Sequence, residues 1–284
     1  MTVSIEARLQ RRVQRYGWDR AVDAYARHWH QPLAGLHGDM LSLAQLCAGE
    51  SVLDLACGTG AVAIAAAQAV GATGTVVGVD IADAMVAAAA ARALGLGLAQ
   101  ARFARMDAEQ LALPDAHFDA ALCALGLMYM PDPTAALGEL NRVLRPGGRA
   151  VLAVWGERTR CGWAPLFEIV DAEVRSEVCP LFFGLGQGDA LARCCTAAGL
   201  DVVEQRKRTD TLDYADGGEA CAAAFVGGPV ALAWSRFDEA TRQRVQERYL
   251  AAVSPWRRGQ GYRIPAEYLT VMVRRPASYG SHLE

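Results

Sequence analysis

The chain has 284 residues, 52% of them hydrophobic and 21% charged, with a formal net charge of −3 and a single lysine, Lys207, among its basic residues. That apolar content is ample for one large core and excludes a disordered chain, and the near-neutral balance leaves no electrostatic footprint for nucleic acid. Eight cysteines (Cys47, Cys57, Cys123, Cys161, Cys179, Cys194, Cys195, Cys221) lack C-x-x-C spacing, and there is no hydrophobic leader, so a cytoplasmic protein with no metal site is expected.

At the N-terminus Ile5, Leu9 and Val13 recur at helical spacing, and Glu6, Asp19 and Asp23 among the arginines argue against a targeting peptide. From residue 51 the pattern alternates. Strands are expected over 51–56, 75–80, 101–106, 118–125 and 149–154, with helices starting near Gly60, Ala82, Asp107 and Thr134. Pro146-Gly147-Gly148 is expected to stop the fourth of these helices and turn the chain into the fifth strand. The charge-free stretch from Leu55 to Val79 is long enough to mimic a membrane span, but glycines at 58, 60, 71, 74 and 78 cut it into strand, turn, helix and strand.

Beyond Trp155 the alternation loosens into a helix near 165–177, a second near 189–198, a strand at 201–208, a helical stretch at 218–253 and a last strand at 268–274. Strands separated by helices imply an α/β, doubly wound, mostly parallel sheet, and the two late strands bring it to seven. The expected division is a helical lid segment at 1–48, a core at 49–156, and a C-terminal part of the core at 157–284 with helical lid insertions at about 157–187 and 214–262.

In such sheets ligands bind at the carboxyl ends of the strands, near the point where strand order reverses. The first strand, in VLDLACGTG, ends in the turn Gly58-Thr59-Gly60, which lets a ligand approach the backbone and the amides of the next helix. The second ends in Asp80, placed to accept both ribose hydroxyls of an adenosine, and the third in Asp107-Ala108, where an acid can accept from the adenine amino group. Gly58, Gly60 and Ala63 also satisfy the dinucleotide pattern. Asp54 separates the two readings: a carboxylate there would repel a pyrophosphate and attract an amino-acid ammonium and a sulfonium. The implied ligand is an adenosine carrying a cationic amino-acid tail.

These residues strongly resemble the class I S-adenosylmethionine (SAM) dependent methyltransferases. VLDLACGTG and VVGVDIADAM match their first two motifs, and RMDAEQLALPDAHFDAALCALGL and NRVLRPGGRAVLAV match the later ones, spanning about Gly49 to Trp155. Within that superfamily the chain resembles the ubiquinone/menaquinone-methyltransferase-like small-molecule branch. Where the quinone C-methyltransferases carry an Arg-Asn pair after the fourth strand, this chain has Met128-Tyr129, which argues against a quinone acceptor.

The resemblance implies a Rossmann-like fold with SAM as cofactor. Asp54 and the backbone at Ala56 and Gly58 would face the methionine part, with Thr59 and Gly60 completing the loop. Asp80 would hold the ribose, Ile81 and Met85 the adenine, and Asp107 and Ala108 its amino edge. Ala124 aligns with a SAM-contacting serine and offers only its backbone, and Tyr25 would close over the cofactor.

The implied activity is methyl transfer to a small, largely apolar or aromatic molecule, with Tyr129, Trp155, Trp163, Phe182 and Phe183 as acceptor contacts. Because the cofactor carries the reactive group, no catalytic side chain is required by the motifs. His117 falls at the wrong end of the sheet, His28 and His30 lie in the lid near Trp29, and Cys194-Cys195 falls on a helix behind the sheet. A non-catalytic SAM-binding protein and an NAD-dependent oxidoreductase are the alternatives; no nucleic-acid partner and no membrane span are expected, and the oligomeric state is open.

Overall fold

Ser51 to Leu55 are all buried, as a strand covered on both faces requires, and this strand (β1, Ser51–Leu55) is the axis of the sheet. The computed structural model describes residues 5–174 and 182–277. Two helices, α1 (Ile5–His28) and α2 (Ala34–Ala44), precede β1. The alternating part runs α3 (Ala61–Val70), β2 (Thr75–Asp80), α4 (Asp83–Gly95), β3 (Ala101–Arg105), β4 (Phe118–Ala124), α5 (Pro133–Val143) and β5 (Leu144–Trp155). Then come α6 (Pro165–Asp171), α7 (Ala190–Ala197), β6 (Asp201–Tyr214), α8 (Gly217–Cys221), α9 (Ala231–Trp234), α10 (Glu239–Val253), β7 (Arg257–Arg258) and β8 (Gly261–Arg274).

The sheet order is β3-β2-β1-β4-β5-β8-β6, with β7 paired to β8. Neighbours among β1 to β5 run parallel, and β8 runs antiparallel to β5, β6 and β7. The strand order reverses between β1 and β4, which sets the switch point beside Asp54. The sheet therefore has eight strands rather than the expected seven, the extra one being the two-residue β7 that folds back on β8.

Other differences have local causes. No helix forms after Asp107. The Asp107 carboxylate accepts the Glu109 amide at 3.0 Å, and Arg142 donates to the carbonyls of Leu111 and Leu113 at 2.9 and 2.8 Å, so side chains hold the segment as irregular chain. α5 is capped by Asp132, which accepts the Ala135 amide at 2.9 Å, and it stops at Val143 rather than at Pro146, because Leu144 already pairs with Phe118. β6 and β8 pair from Asp201 and Arg274 through to Tyr214 and Tyr262, making both strands longer than their local sequences indicate.

α1 is a helix, but Ile5 and Leu9 are exposed and the face it buries is Gln14, Gly17 and Ala21. That face packs on α4, α9 and the π-helical turn Ala222–Val226 that continues α8. Gly227 makes the approach possible, since a Cβ there would lie 2.8 to 3.0 Å from the backbone of Ala24 and Tyr25. Among the described residues no helix is long and apolar enough to cross a membrane.

Candidate functional site

An open cleft, about 1020 Å³ when the solvent at its mouth is included, lies over the carboxyl ends of β1, β2, β3, β4 and β5, with α1 across it. Two backbone positions at this edge sit in the left-handed region without being glycine, Ala56 at φ 59° after β1 and Leu125 at φ 56° after β4, and both line the cleft. Such strain persists only where the surroundings over-determine it, and it concentrates at ligand sites. Gly58 at φ 51° and Gly60 at φ 79° complete the turn into α3. The Tyr25 ring lies over Gly58, whose missing Cβ would be 3.7 Å from Tyr25 Cε1.

The half of the cleft over β1, β2 and β3 is acidic. Asp80, at the tip of β2, accepts the Gly58 amide on Oδ2 and the Ala82 amide on Oδ1, each at 2.9 Å, which fixes the carboxylate and leaves further lone pairs for a ligand. Burial raises its pKa above the usual carboxylate value, and the amides pull the other way. Ile81 and Met85 form the adjoining wall, with Asp107, Ala108 and Glu109 beyond. Arg11 of α1 reaches across to these acids: its Nε lies 2.9 Å from Asp107 Oδ2, and its Nη2 pairs with Glu109.

Asp54 sits one step back, 1% exposed, in a small pocket that adjoins the cleft through Tyr25, Ala56 and Ala124 and also includes Thr59 and His37. The Ala63 amide donates to its carboxylate, but Oδ2 is buried with no hydrogen-bond partner. Burial pushes its pKa up to about 8, with the nearby Asp80 charge acting in the same direction. An orphaned carboxylate oxygen of this kind costs free energy until a donor arrives, and a cationic ammonium is the donor that would also restore the charge. Thr59 is held away from the cleft by His30, whose Nε2 lies 2.6 Å from its Oγ1. Burial lowers the pKa of both His30 and His37 to about 4, so neither is a cation at neutral pH.

The half over β4 and β5 is aromatic. Trp155 at the tip of β5 packs on Trp163, with ring centroids 4.8 Å apart, and Trp163 on Phe182 at 5.6 Å. Tyr129, in the turn after β4, meets Phe182 at 5.4 Å and Trp18 of α1 at 5.2 Å.

Of the residues expected from sequence, Tyr25, Ala56, Gly58, Asp80, Ile81, Met85, Asp107, Ala108, Ala124, Tyr129, Trp155, Trp163 and Phe182 line the cleft. Asp54 and Thr59 line the adjoining small pocket. Gly60 lies behind the turn, where a Cβ would meet Ala89 at 2.9 Å, and Phe183 packs behind Trp163 and Phe182 without lining the cleft. Sequence reasoning missed Arg11, Gln14 and Trp18, although with Tyr25 they fall at i, i+3, i+7 and i+14, the spacing of one helix face. It also missed Trp29, Glu109 and the Gly228-Pro229 wall.

Over residues 52–148 the chain matches a protein family described as a methyltransferase domain. It is 44% identical over 105 residues to the 2-phytyl-1,4-naphtoquinone methyltransferase of Synechococcus elongatus, a match covering 37% of this chain and 45% of that protein. It is 39% identical over 120 residues to the ubiquinone/menaquinone biosynthesis C-methyltransferase UbiE of Pseudomonas putida, covering 42% and 47% respectively. The chain thus spans a little under half the length of these curated relatives. Among solved structures, a Bacillus halodurans protein assigned as a methyltransferase superposes with a TM-score of 0.62 at 20% identity, over 85% of this chain and 99% of that one, which is a likeness of fold.

Proposed function

We infer that this chain, whose residues 52–148 match a methyltransferase domain, is a class I enzyme that transfers a methyl group from S-adenosylmethionine to a small, largely apolar or aromatic acceptor. The observation that carries the reading is the division of one cleft into an acidic half and an aromatic half, with an adjoining small pocket, reached past Ala56 and Ala124, where Asp54 holds a carboxylate oxygen without a partner. The acidic half suits a nucleoside with a cationic tail, and the aromatic half suits an acceptor with little charge.

In this reading Asp54 pairs with the ammonium of the methionine part, and the backbone at Ala56 and Gly58 lines its path. Thr59 and Gly60 shape the turn. Asp80 accepts the ribose hydroxyls, Ile81 and Met85 pack on the adenine, and Asp107 and Ala108 read its amino edge, with Asp107 shared between Arg11 and the base. Ala124 contributes its backbone at the switch point, and Tyr25 covers the reacting centre. Bound SAM supplies an electrophilic methyl on a sulfonium. The chain's part is to hold the acceptor about 3 to 3.5 Å from that methyl, in line, and to keep water out. Tyr129, Trp155, Trp163 and Phe182 form the acceptor wall. Phe183 supports it from behind.

The described parts of the N-terminal segment to residue 48 and of the insertions at about 157–187 and 214–262 act, in this reading, as the lid over the core. The protein works in the cytoplasm on a small molecule and without nucleic acid, a reading supported by the net charge of −3 and by free cysteines at every described position. Thermal-shift titration with SAM and with NADH, followed by incubation with methyl-labelled SAM and extract, tests the function. Stabilisation by SAM with a labelled small product is expected. Stabilisation by NADH alone would overturn the cofactor, and SAM binding with no product from any extract would overturn the activity.

A further inference from the structure

We propose that Trp163 is the residue that orients the acceptor, and that the acceptor is an uncharged, planar aromatic or conjugated molecule bearing an oxygen that accepts a hydrogen bond from Trp163 Nε1. This inference rests on the methyltransferase reading above and specifies its substrate class.

The sheet order separates charge from aromatic surface. The charged side chains among the described residues lining the cleft are Arg11, Asp80, Asp107 and Glu109, and all four lie toward the tips of β2 and β3, with Arg11 paired to Asp107 and Glu109. On the other side of the switch point, over β4 and β5, the wall is Tyr129, Trp155, Trp163 and Phe182, joined by Trp29. An ionised acceptor placed there would lose its hydration without gaining a charged partner, whereas a flat ring gains edge-to-face contacts on several sides.

Among the indoles of that wall, Trp29 and Trp163 differ in what their buried N–H groups meet. Trp29 Nε1 donates to the Ala223 carbonyl at 3.1 Å and is satisfied by the fold. Trp163 is 3% exposed, lines the cleft, and its Nε1 is buried without any hydrogen-bond partner. A native fold rarely leaves a buried N–H unpaired, and where it does so beside a ligand cleft the ligand is the natural acceptor. Trp163 is also held on several sides, by Trp155 at 4.8 Å, Phe182 and Phe183 at 5.6 Å, and Trp29 at 6.4 Å between ring centroids, so its N–H direction is fixed before an acceptor arrives. A donor on a rigid ring orients its partner at little entropic cost.

The test uses two probes of one shape, acetophenone and α-methylstyrene, which differ by a carbonyl oxygen in place of a methylene, and benzoate as the charged counterpart. Each is titrated by calorimetry into protein saturated with S-adenosylhomocysteine, for the wild type and for Trp163→Phe. The wild type is expected to bind acetophenone at least as tightly as α-methylstyrene, although water holds the ketone better, and to bind benzoate most weakly. Trp163→Phe is expected to shift the ratio about tenfold toward the hydrocarbon, the value of one hydrogen bond. An unchanged ratio in the variant, a wild-type preference for α-methylstyrene, tightest binding of benzoate, or no binding of either neutral probe would each overturn the proposal. If the variant does not fold, the wild-type preference decides alone. Failure of S-adenosylhomocysteine itself to bind would instead overturn the cofactor reading, and the probe ratio, measured on the free protein, still decides the role of Trp163.

Discussion

If Asp54 receives the ammonium of the cofactor, as proposed, cofactor affinity depends on pH in a direction that can be worked out. Its carboxyl is buried, lacks a partner on Oδ2 and titrates near pH 8, so the free protein carries it mostly protonated at neutral pH. An ammonium pairs with the ionised form, so binding must release that proton. If only the ionised form binds, the apparent dissociation constant is the intrinsic one multiplied by one plus the ratio of protonated to ionised carboxyl. For a pKa of about 8 this factor is about 100 at pH 6.0 and about 4 at pH 7.5, so affinity rises about 25-fold across that interval. That corresponds to roughly 1.9 kcal/mol.

The assay is calorimetric titration with S-adenosylhomocysteine at pH 6.0, 6.5, 7.0 and 7.5, repeated in buffers of different ionisation enthalpy to count protons. Near pH 6.5 about one proton should be released per ligand bound, and Asp54→Asn should bind weakly with affinity flat over the range. Equal affinity at pH 6.0 and 7.5 in the wild type, or the same slope in the Asn variant, would refute the pairing of Asp54 with the ligand's ammonium.

Other outcomes follow from the same geometry. Asp80→Ala should weaken S-adenosylhomocysteine binding at least tenfold while leaving a folded protein, since the side chain's own partners among the described residues are backbone amides, at Gly58, Ala82 and Ile81; calorimetry and a melting curve separate the two effects. Arg11→Ala removes the ion pairs joining α1 to Asp107 and Glu109 and should speed proteolytic nicking within α1, read by timed digestion, while costing about 1 kcal/mol or less of global stability. Gly227→Ala forces a Cβ against the backbone of Ala24 and Tyr25 and should cost about 1–3 kcal/mol, visible as a lowered Tm in thermal denaturation. The free protein should have its highest Tm near pH 6.5. Asp54, raised from 3.8 to about 8, loses its contribution as pH rises through that whole interval, but between about pH 4 and 6.5 the two neutral, buried histidines, His30 and His37, lowered from 6.5 to about 4, gain stability with pH and outweigh it; above 6.5 the loss from Asp54 stands alone. A Tm rising steadily from pH 6.5 to 8 would contradict this.

The sequence by itself determined the local elements and the ends of the first three strands. Val52 to Leu55, the glycine turn and Asp80 follow one another within a single βαβ unit, so their spacing alone carries Asp54, Gly58 and Asp80 to one edge. The missing helix after Asp107, the eighth strand and the full length of β6 and β8 were decided by partners distant in the chain: Arg142 holds the carbonyls of Leu111 and Leu113, and Tyr214 pairs with Tyr262 across the intervening α8, α9 and α10. The same holds for the aromatic half of the cleft and for the helix α1 that crosses it. Trp18, Tyr129, Trp155, Trp163 and Phe182 come from five separate segments, and nothing in any one of them indicates that the rings meet. Arg11 was legible as a helix-face residue but not as the partner of Asp107, because the identity of a facing surface is a property of packing and not of periodicity. Local spacing fixes what lies along one strand or helix face; only the assembled sheet decides which faces are brought together, and in this protein that decision separates an acidic half of the cleft from an aromatic one.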